Sequence, residues 1–184
     1  MINKDYQSQI QAMHGQGKFN NGAKQFDLVR PFIEEYAPKT MLDFGCGHGA
    51  LIAVIKQNYP EIKCWGYDPG DPHYGVMPPR TFEAVISTDA IEHIEPEHLI
   101  QSLQLISDKM ERCGFFRIAC HPAKKTLPDG RNCHLIVEEP DWWREQILCY
   151  MQVDIAWERT QPFDRRDKNP LLFGSKYDLI LTKR

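Results

Sequence analysis

The sequence predicts an α/β fold, a doubly wound and mainly parallel sheet with a C-terminal antiparallel strand pair. Three observations carry this. Strand-like and helix-like segments alternate from residue 40 to residue 120, and such alternation builds parallel sheets covered by helices. A strand-like run leads into LDFGCGHGA, residues 42–50, with glycines at 45, 47 and 49. Two closing strand-like segments, 152–157 and 177–182, have no clear helix between them, as expected of a hairpin at a sheet edge.

The 184 residues fit one domain, read here as 1–184 with residues 1–38 as a helical N-terminal cap. A hydrophobic fraction of 42% beside 26% charged residues supplies a core. The net charge of −3 offers no basic field for a phosphate backbone, which disfavours a nucleic-acid partner. The opening MINKDYQSQI lacks a signal-peptide pattern, and no apolar run approaches the ~18 residues of a membrane span. Six scattered cysteines, several inside apolar runs, read as reduced thiols, so a cytoplasmic location is expected.

In chain order, residues 3–14 are polar and helix-like, and His14-Gly15-Gln16-Gly17 breaks them. Residues 23–36 follow as a helix, with Phe26, Val29, Ile33 and Tyr36 at helical spacing. Pro31 kinks or restarts it, and Pro38 closes it. Residues 40–44 form a strand, 50–59 a helix apolar nearly all round, 63–67 a second strand and 82–87 a third. Residues 96–112 form an amphipathic helix, with Pro96 in its first turn, a stripe of Leu99, Leu103, Ile106 and Met110, and Gly114 as its C-cap glycine. A strand at 115–120, a short helix near Asp141 and the two closing strands complete the chain.

In a doubly wound sheet, ligands bind beyond the carboxyl ends of the strands. Segments 43–50, 67–71, 87–93 and 120–134 should therefore share one crevice. Gly45, Gly47 and Gly49 let backbone approach a ligand closely. Asp68, nineteen residues beyond Gly49, is placed to accept hydrogen bonds from ribose hydroxyls. Gly45, Gly47 and Ala50 alone also satisfy a dinucleotide fingerprint, which keeps an NAD-dependent oxidoreductase as an alternative. Asp43 argues against it. A buried acid in front of the loop would repel a pyrophosphate but suits a ligand carrying an ammonium or sulfonium.

LDFGCGHG resembles the first motif of the class I S-adenosylmethionine-dependent methyltransferases, whose fold is Rossmann-like. Asp68 matches that family's ribose acid. STDAIEHIEPEH, residues 87–98, resembles the segment after the fourth strand in its small-molecule branch. The resemblance is specific over about residues 40–125. It implies S-adenosylmethionine as cofactor, held by Asp43, Gly45, Cys46, Gly47, Gly49, Asp68, Asp89 and Ala90. It implies transfer of a methyl group to an O or N nucleophile of a small-molecule acceptor. One departure stands out. Only PGDPHYGVMPPRT separates Asp68 from Phe82, with four prolines and two glycines. The family's next helix and third strand are therefore replaced by a loop. The usual adenine contact is lost with them, leaving His73, Tyr74, Val76 or Met77 to substitute. The shortened sheet also exposes an edge that a partner chain, as in a homodimer, would cover. A catalytically degenerate binding module that supports a partner is a further alternative.

The catalytic candidates are His93, His121 and His134, all in the expected crevice and suited to removing a proton from an acceptor near neutral pH. Each has a plain structural role as its rival. The pairs Cys120-His121 and Cys133-His134 raise a metal site. Neighbours on extended chain point to opposite faces, so either the cysteines or the histidines converge, and without C-x-x-C or H-x-x-x-H spacing no metal is expected. Trp142-Trp143 reads either as two packing residues at a helix start or as one ring packed and one facing the crevice. Lys124, Lys125 and Arg131 give the 121–134 loop positive charge, either solvated or facing an acidic acceptor. The run Thr88-Asp89-Ala90-Ile91 lacks the Pro-Pro-aromatic pattern of amino-methylating DNA enzymes, and no Pro-Cys follows the strand.

Overall fold

A computed structural model describes residues 22–184, so the helix expected at 3–14 and its glycine break lie outside the described residues. A 3₁₀ turn, Gly22–Gln25, leads into α1, Phe26–Tyr36. Pro31 sits inside α1 without ending it, and Val29, Phe32 and Ile33 are its buried face. The elements that follow are β1 (Thr40–Phe44), α2 (Ala50–Asn58), β2 (Lys63–Tyr67), β3 (Phe82–Thr88), α3 (Leu99–Lys109), β4 (Met110–Cys120), α4 (Pro140–Tyr150), β5 (Val153–Asp164) and β6 (Phe173–Lys183).

The six strands form one sheet in the order β2-β1-β3-β4-β6-β5. The first four are parallel, and β6 pairs antiparallel with both β4 and β5. Side chains alternate between faces along a strand, and the two halves of the core follow from that. Met41, Ala84, Ile86, Cys113 and Phe115 face α1 and α2. Leu42, Val85, Phe116 and Ile118 face α3 and α4. One face of α2 is solvent-exposed, because Ala53 and Lys56 point away from the sheet while Leu51, Ile52 and Ile55 are buried.

Two boundaries differ from the sequence reading. The helix expected to reach residue 112 ends at Lys109, because Met110 already pairs with Phe82 as the first residue of β4. Gly114 is thus a sheet glycine and not a helix cap: a Cβ there would lie 3.0 Å from the Val85 carbonyl oxygen. The closing strands are also longer than expected. Residues 158–164 extend β5 past the core, so that Phe163 reaches over the carboxyl end of β4.

Between Asp68 and Phe82 there is neither helix nor strand, and β2 is the sheet edge. Carboxylates fold this link. Asp68 accepts from the Gly70 N–H at 2.8 Å. Asp71 accepts from His73 at 2.8 Å and from Tyr74 at 3.3 Å. Such side-chain turns satisfy backbone donors where prolines forbid a ladder. The Tyr74 ring folds back over Gly49 and Gly66.

Candidate active site

A cavity of about 410 Å³ opens at the carboxyl ends of the parallel strands. The four segments expected to share a crevice all line it, through Asp43 to Gly47, Asp68, Asp89 with Ala90 and His93, and His121 with His134.

The turn from β1 into α2 is built for close approach. Gly45 has φ +82°, and a Cβ there would collide with the Cβ of Ala90. The β1 and β3 loops can therefore touch only if residue 45 is glycine. Gly45 and Cys46 donate to the Tyr67 carbonyl at 2.8 and 3.2 Å. Gly47, at φ +53°, donates to Asp68 Oδ2 at 2.8 Å. The buried Cys46 thiol is pushed up by desolvation and lines the cavity as a neutral group. Gly49 differs from the sequence reading. It does not line the cavity, because the Tyr74 ring covers it, and its φ of +76° serves the start of α2.

Acids dominate this end. Asp43 is 2% exposed, and burial, then the nearby Asp68 charge, pushes its carboxyl up to about 7. Asp89 holds a left-handed backbone, φ +50°. Its Oδ2 accepts from Gln25 at 2.5 Å, while its buried Oδ1 has no partner among the described residues. Glu92 is fully buried, and desolvation, then the Asp89 charge, raises its carboxyl well above the usual range.

All three candidate histidines converge at the other end. The His93 and His134 rings stand edge to face with centroids 4.9 Å apart, and His121 lies 5.4 Å from His134. His121 stacks flat on Phe163 at 3.6 Å, and its buried Nε2 has no partner among the described residues. Of the two outcomes open for the Cys-His pairs, the histidines converge, and Cys120 and Cys133 turn into the core. Burial, then the charge of His93, lowers His134 to about 4. Burial also lowers His121.

At the rim the plain readings hold for the basic loop and the tryptophans. Arg131 spends its guanidinium on Glu95, at 2.9 and 3.0 Å, and on Asp129. Neither it nor Lys124 or Lys125 lines the cavity; Lys176, from β6, does. Trp143 is fully buried and Trp142 packs beside it on the core, so neither ring reaches the crevice. None of His73, Tyr74, Val76 and Met77 lines the cavity, whereas Tyr67, Pro69, Ile94, His98 and Leu105 do. Gln25, Glu92, Phe163 and Lys176 were missed. Glu92 lies inside the STDAIEH segment, whereas the other three carry no local signal.

A Rossmann-like sheet with a glycine turn and an acid at the end of its second strand defines a nucleoside-cofactor enzyme. Residues 22–118, just over half of the chain, match the methyltransferase domain family, and the chain belongs to that family. It is an S-adenosylmethionine-dependent methyltransferase. No curated protein sequence matches it. Among solved structures, it is similar to the 1,6-didemethyltoxoflavin N1-methyltransferase of Burkholderia thailandensis, crystallised with that substrate and S-adenosylhomocysteine. The TM-score is 0.67 at 13% identity, over 96% of this chain and 86% of that one. It is also similar to a SAM-dependent methyltransferase from Archaeoglobus fulgidus, with TM-score 0.56 and 18% identity over 86% and 92%. A third is the magnesium protoporphyrin IX methyltransferase of Synechocystis with bound S-adenosylhomocysteine, with TM-score 0.56 and 14% identity over 88% and 83%. At these identities the likeness is one of fold. The family match sets aside the nicotinamide reading of Gly45, Gly47 and Ala50, and it supports an enzyme over a degenerate module. No helix among the described residues is long and apolar enough to cross a membrane.

Proposed function

We propose that the protein transfers the methyl group of S-adenosylmethionine to a hydroxyl or amine of a small molecule seated against His93, His121 and His134. The supporting observation is that one cavity joins the glycine–acid end to the histidine end. Its volume falls within the ~300–1,000 Å³ usual for small-molecule sites.

The donor end fits the cofactor. Gly45 and Gly47 present backbone to the cavity, and the missing Cβ at residue 45 lets the β1 loop close on Ala90. Asp43 and Asp68 repel one another across it, and a sulfonium and an ammonium would relieve that repulsion. On this reading, Asp68 holds the ribose, and Gly45, Cys46 and Gly47 lie along the methionine part. Asp43 orients its ammonium, and Asp89 and Ala90 face the methyl group. Tyr67, Pro69, Ile94 and Leu105 stand in for the lost adenine contact.

Bound S-adenosylmethionine supplies an already activated methyl group. The chain's own work is alignment, exclusion of water and removal of one proton. In the in-line displacement, the carbon–sulfur bond breaks as the acceptor's oxygen or nitrogen bonds the methyl carbon. On this reading His121, which lines the cavity, takes the acceptor's proton. Its Nδ1 lies 2.9 Å from the Pro122 carbonyl. A carbonyl only accepts, so Nδ1 carries the hydrogen and Nε2 the lone pair. Phe163 fixes the ring plane.

The test is label transfer. The protein is incubated with methyl-labelled S-adenosylmethionine and panels of hydroxylated and amine-bearing small molecules, RNA, DNA and protein. Label entering the small-molecule fraction supports the reading. Label entering only a macromolecule contradicts it.

A further inference from the structure

Beyond cofactor and acceptor, the histidine end carries a ligand set of its own. Glu92, His93 and His134 each bring one ligating atom to a common point, with all three atoms within 4.8 Å of one another. Around one tetrahedral ion with bonds of ~2.0–2.2 Å, ligand atoms stand ~3.3–3.6 Å apart. Inward shifts of up to about 0.8 Å per ligand atom, within reach of side-chain rotation, would close the three on an ion.

The tautomers suit this. His93 Nδ1 lies 2.7 Å from the Cys133 carbonyl oxygen, and His134 Nδ1 lies 2.5 Å from that of His121. Carbonyls accept only, so both Nδ1 atoms carry the hydrogen and both lone pairs sit on Nε2. Backbone carbonyls orient ligating histidines in this way at metal centres. Glu92 adds a second, independent observation. It is fully buried; one carboxyl oxygen accepts from the Ala119 N–H at 3.2 Å, and the other has no partner among the described residues. A buried carboxyl oxygen without a donor is costly, and a cation would relieve it. The unpartnered Asp89 Oδ1 lines the same cavity and adds negative field.

The frame is rigid. Asn132 accepts from the N–H groups of Ala123 and His134 and donates to the Ala123 carbonyl. Arg131 ties the same loop to Glu95. Rigid supports are what hold a ligand set in register.

We propose that Glu92, His93 and His134 bind one divalent first-row transition ion at the acceptor end of the cavity. Two imidazoles and one carboxylate favour such an ion over magnesium or calcium, whose preferred ligands are all oxygen. Three protein ligands leave positions open toward the cavity.

The test uses the chelator-treated full chain and Co²⁺ alone. Titration is followed by calorimetry and visible absorption. One equivalent is expected to bind, with bands of nitrogen and oxygen ligation and no thiolate charge transfer. His93→Ala and His134→Gln are expected to weaken binding at least ~100-fold. S-adenosylhomocysteine binding by the same variants reports an intact fold, and it is expected to persist. No stoichiometric binding by the wild type, thiolate bands, or unchanged affinity in the His93→Ala/His134→Gln double variant would overturn the proposal. If a variant unfolds, the wild-type stoichiometry and spectrum decide alone. S-adenosylhomocysteine binding without Co²⁺ binding would leave the methyltransferase reading standing and remove only the metal.

Discussion

The Gly47 N–H donates to Asp68 Oδ2 at 2.8 Å, joining the glycine turn after β1 to the acid that ends β2. Asp68 Oδ1 accepts from Gly70, so one carboxylate organises two loops while facing the cavity. Asp68→Asn puts an amide donor against one of these N–H groups. Asp68→Ala orphans both, at about 1–3 kcal/mol each if they stay buried. Both variants are expected to lose at least tenfold in S-adenosylhomocysteine affinity and to melt lower, Ala more than Asn. Calorimetry and thermal unfolding check this; unchanged affinity in Asp68→Ala would remove the acid from the site.

Gly45→Ala strains the backbone at φ +82° and drives a methyl into Ala90. The conformation alone costs about 1–2 kcal/mol. Adding Ala90→Gly relieves the clash but not the strain, so the double variant should be more stable than Gly45→Ala alone. A double-mutant cycle by denaturant unfolding measures the coupling; strict additivity would mean the loops do not touch.

Asp43 makes both stability and binding depend on pH. Its carboxyl is raised from 3.8 to about 7 in the folded state. Between those values the folded chain holds a proton that the unfolded chain has released, so this residue's contribution to stability falls as pH rises from about 4 to about 7. Asp43→Asn should flatten that slope. A cationic cofactor favours the ionised form, so binding near pH 6.5 should release close to one proton. Calorimetry in buffers of different ionisation heat reads it, and the same enthalpy in every buffer would contradict the role.

Asp178 anchors the antiparallel half of the sheet. It is fully buried and takes a bidentate pair from Arg117, at 2.6 and 2.8 Å, and a third bond from Arg159 at 2.9 Å. The Arg117 carbonyl in turn accepts from the Asp89 N–H at 2.9 Å, so the network supports the site. Asp178→Ala strands a half-buried guanidinium and should cost about 3–5 kcal/mol. Burial opposes ionisation of Asp178, but Arg117 and Arg159 prevail and hold its carboxyl below the usual value. Its stabilisation is present above pH ~4 and lost as pH falls below that. An acid titration of unfolding free energy tests the sign.

The sheet was legible because its parallel strands are short and apolar and their turns carry glycines. Residues 40–44 and 63–67 match the observed strands. The helix end near 110 was not legible: Met110 continues the apolar stripe of α3 yet pairs with Phe82, and no local pattern separates these roles. Residues 158–161 are polar because that end of β5 projects beyond the core, so they carry no alternation to read. At the site, the glycine turn and Asp68 announced themselves by spacing. The grouping of Glu92, His93 and His134 did not, because it joins a 3₁₀ turn after β3 to a loop forty-one residues beyond His93, whereas the local pattern offers only the adjacent Cys-His pairs. Phe163 and Lys176 reach the cavity only through strand pairing.

A structure with S-adenosylhomocysteine bound tests the central claim most directly. The ribose hydroxyls are expected on Asp68 and the sulfur directed at the wall made by His93, His121 and His134. Ribose bound elsewhere, or a sulfur turned away from those histidines, would contradict the assignment of that end of the cavity to the methyl acceptor.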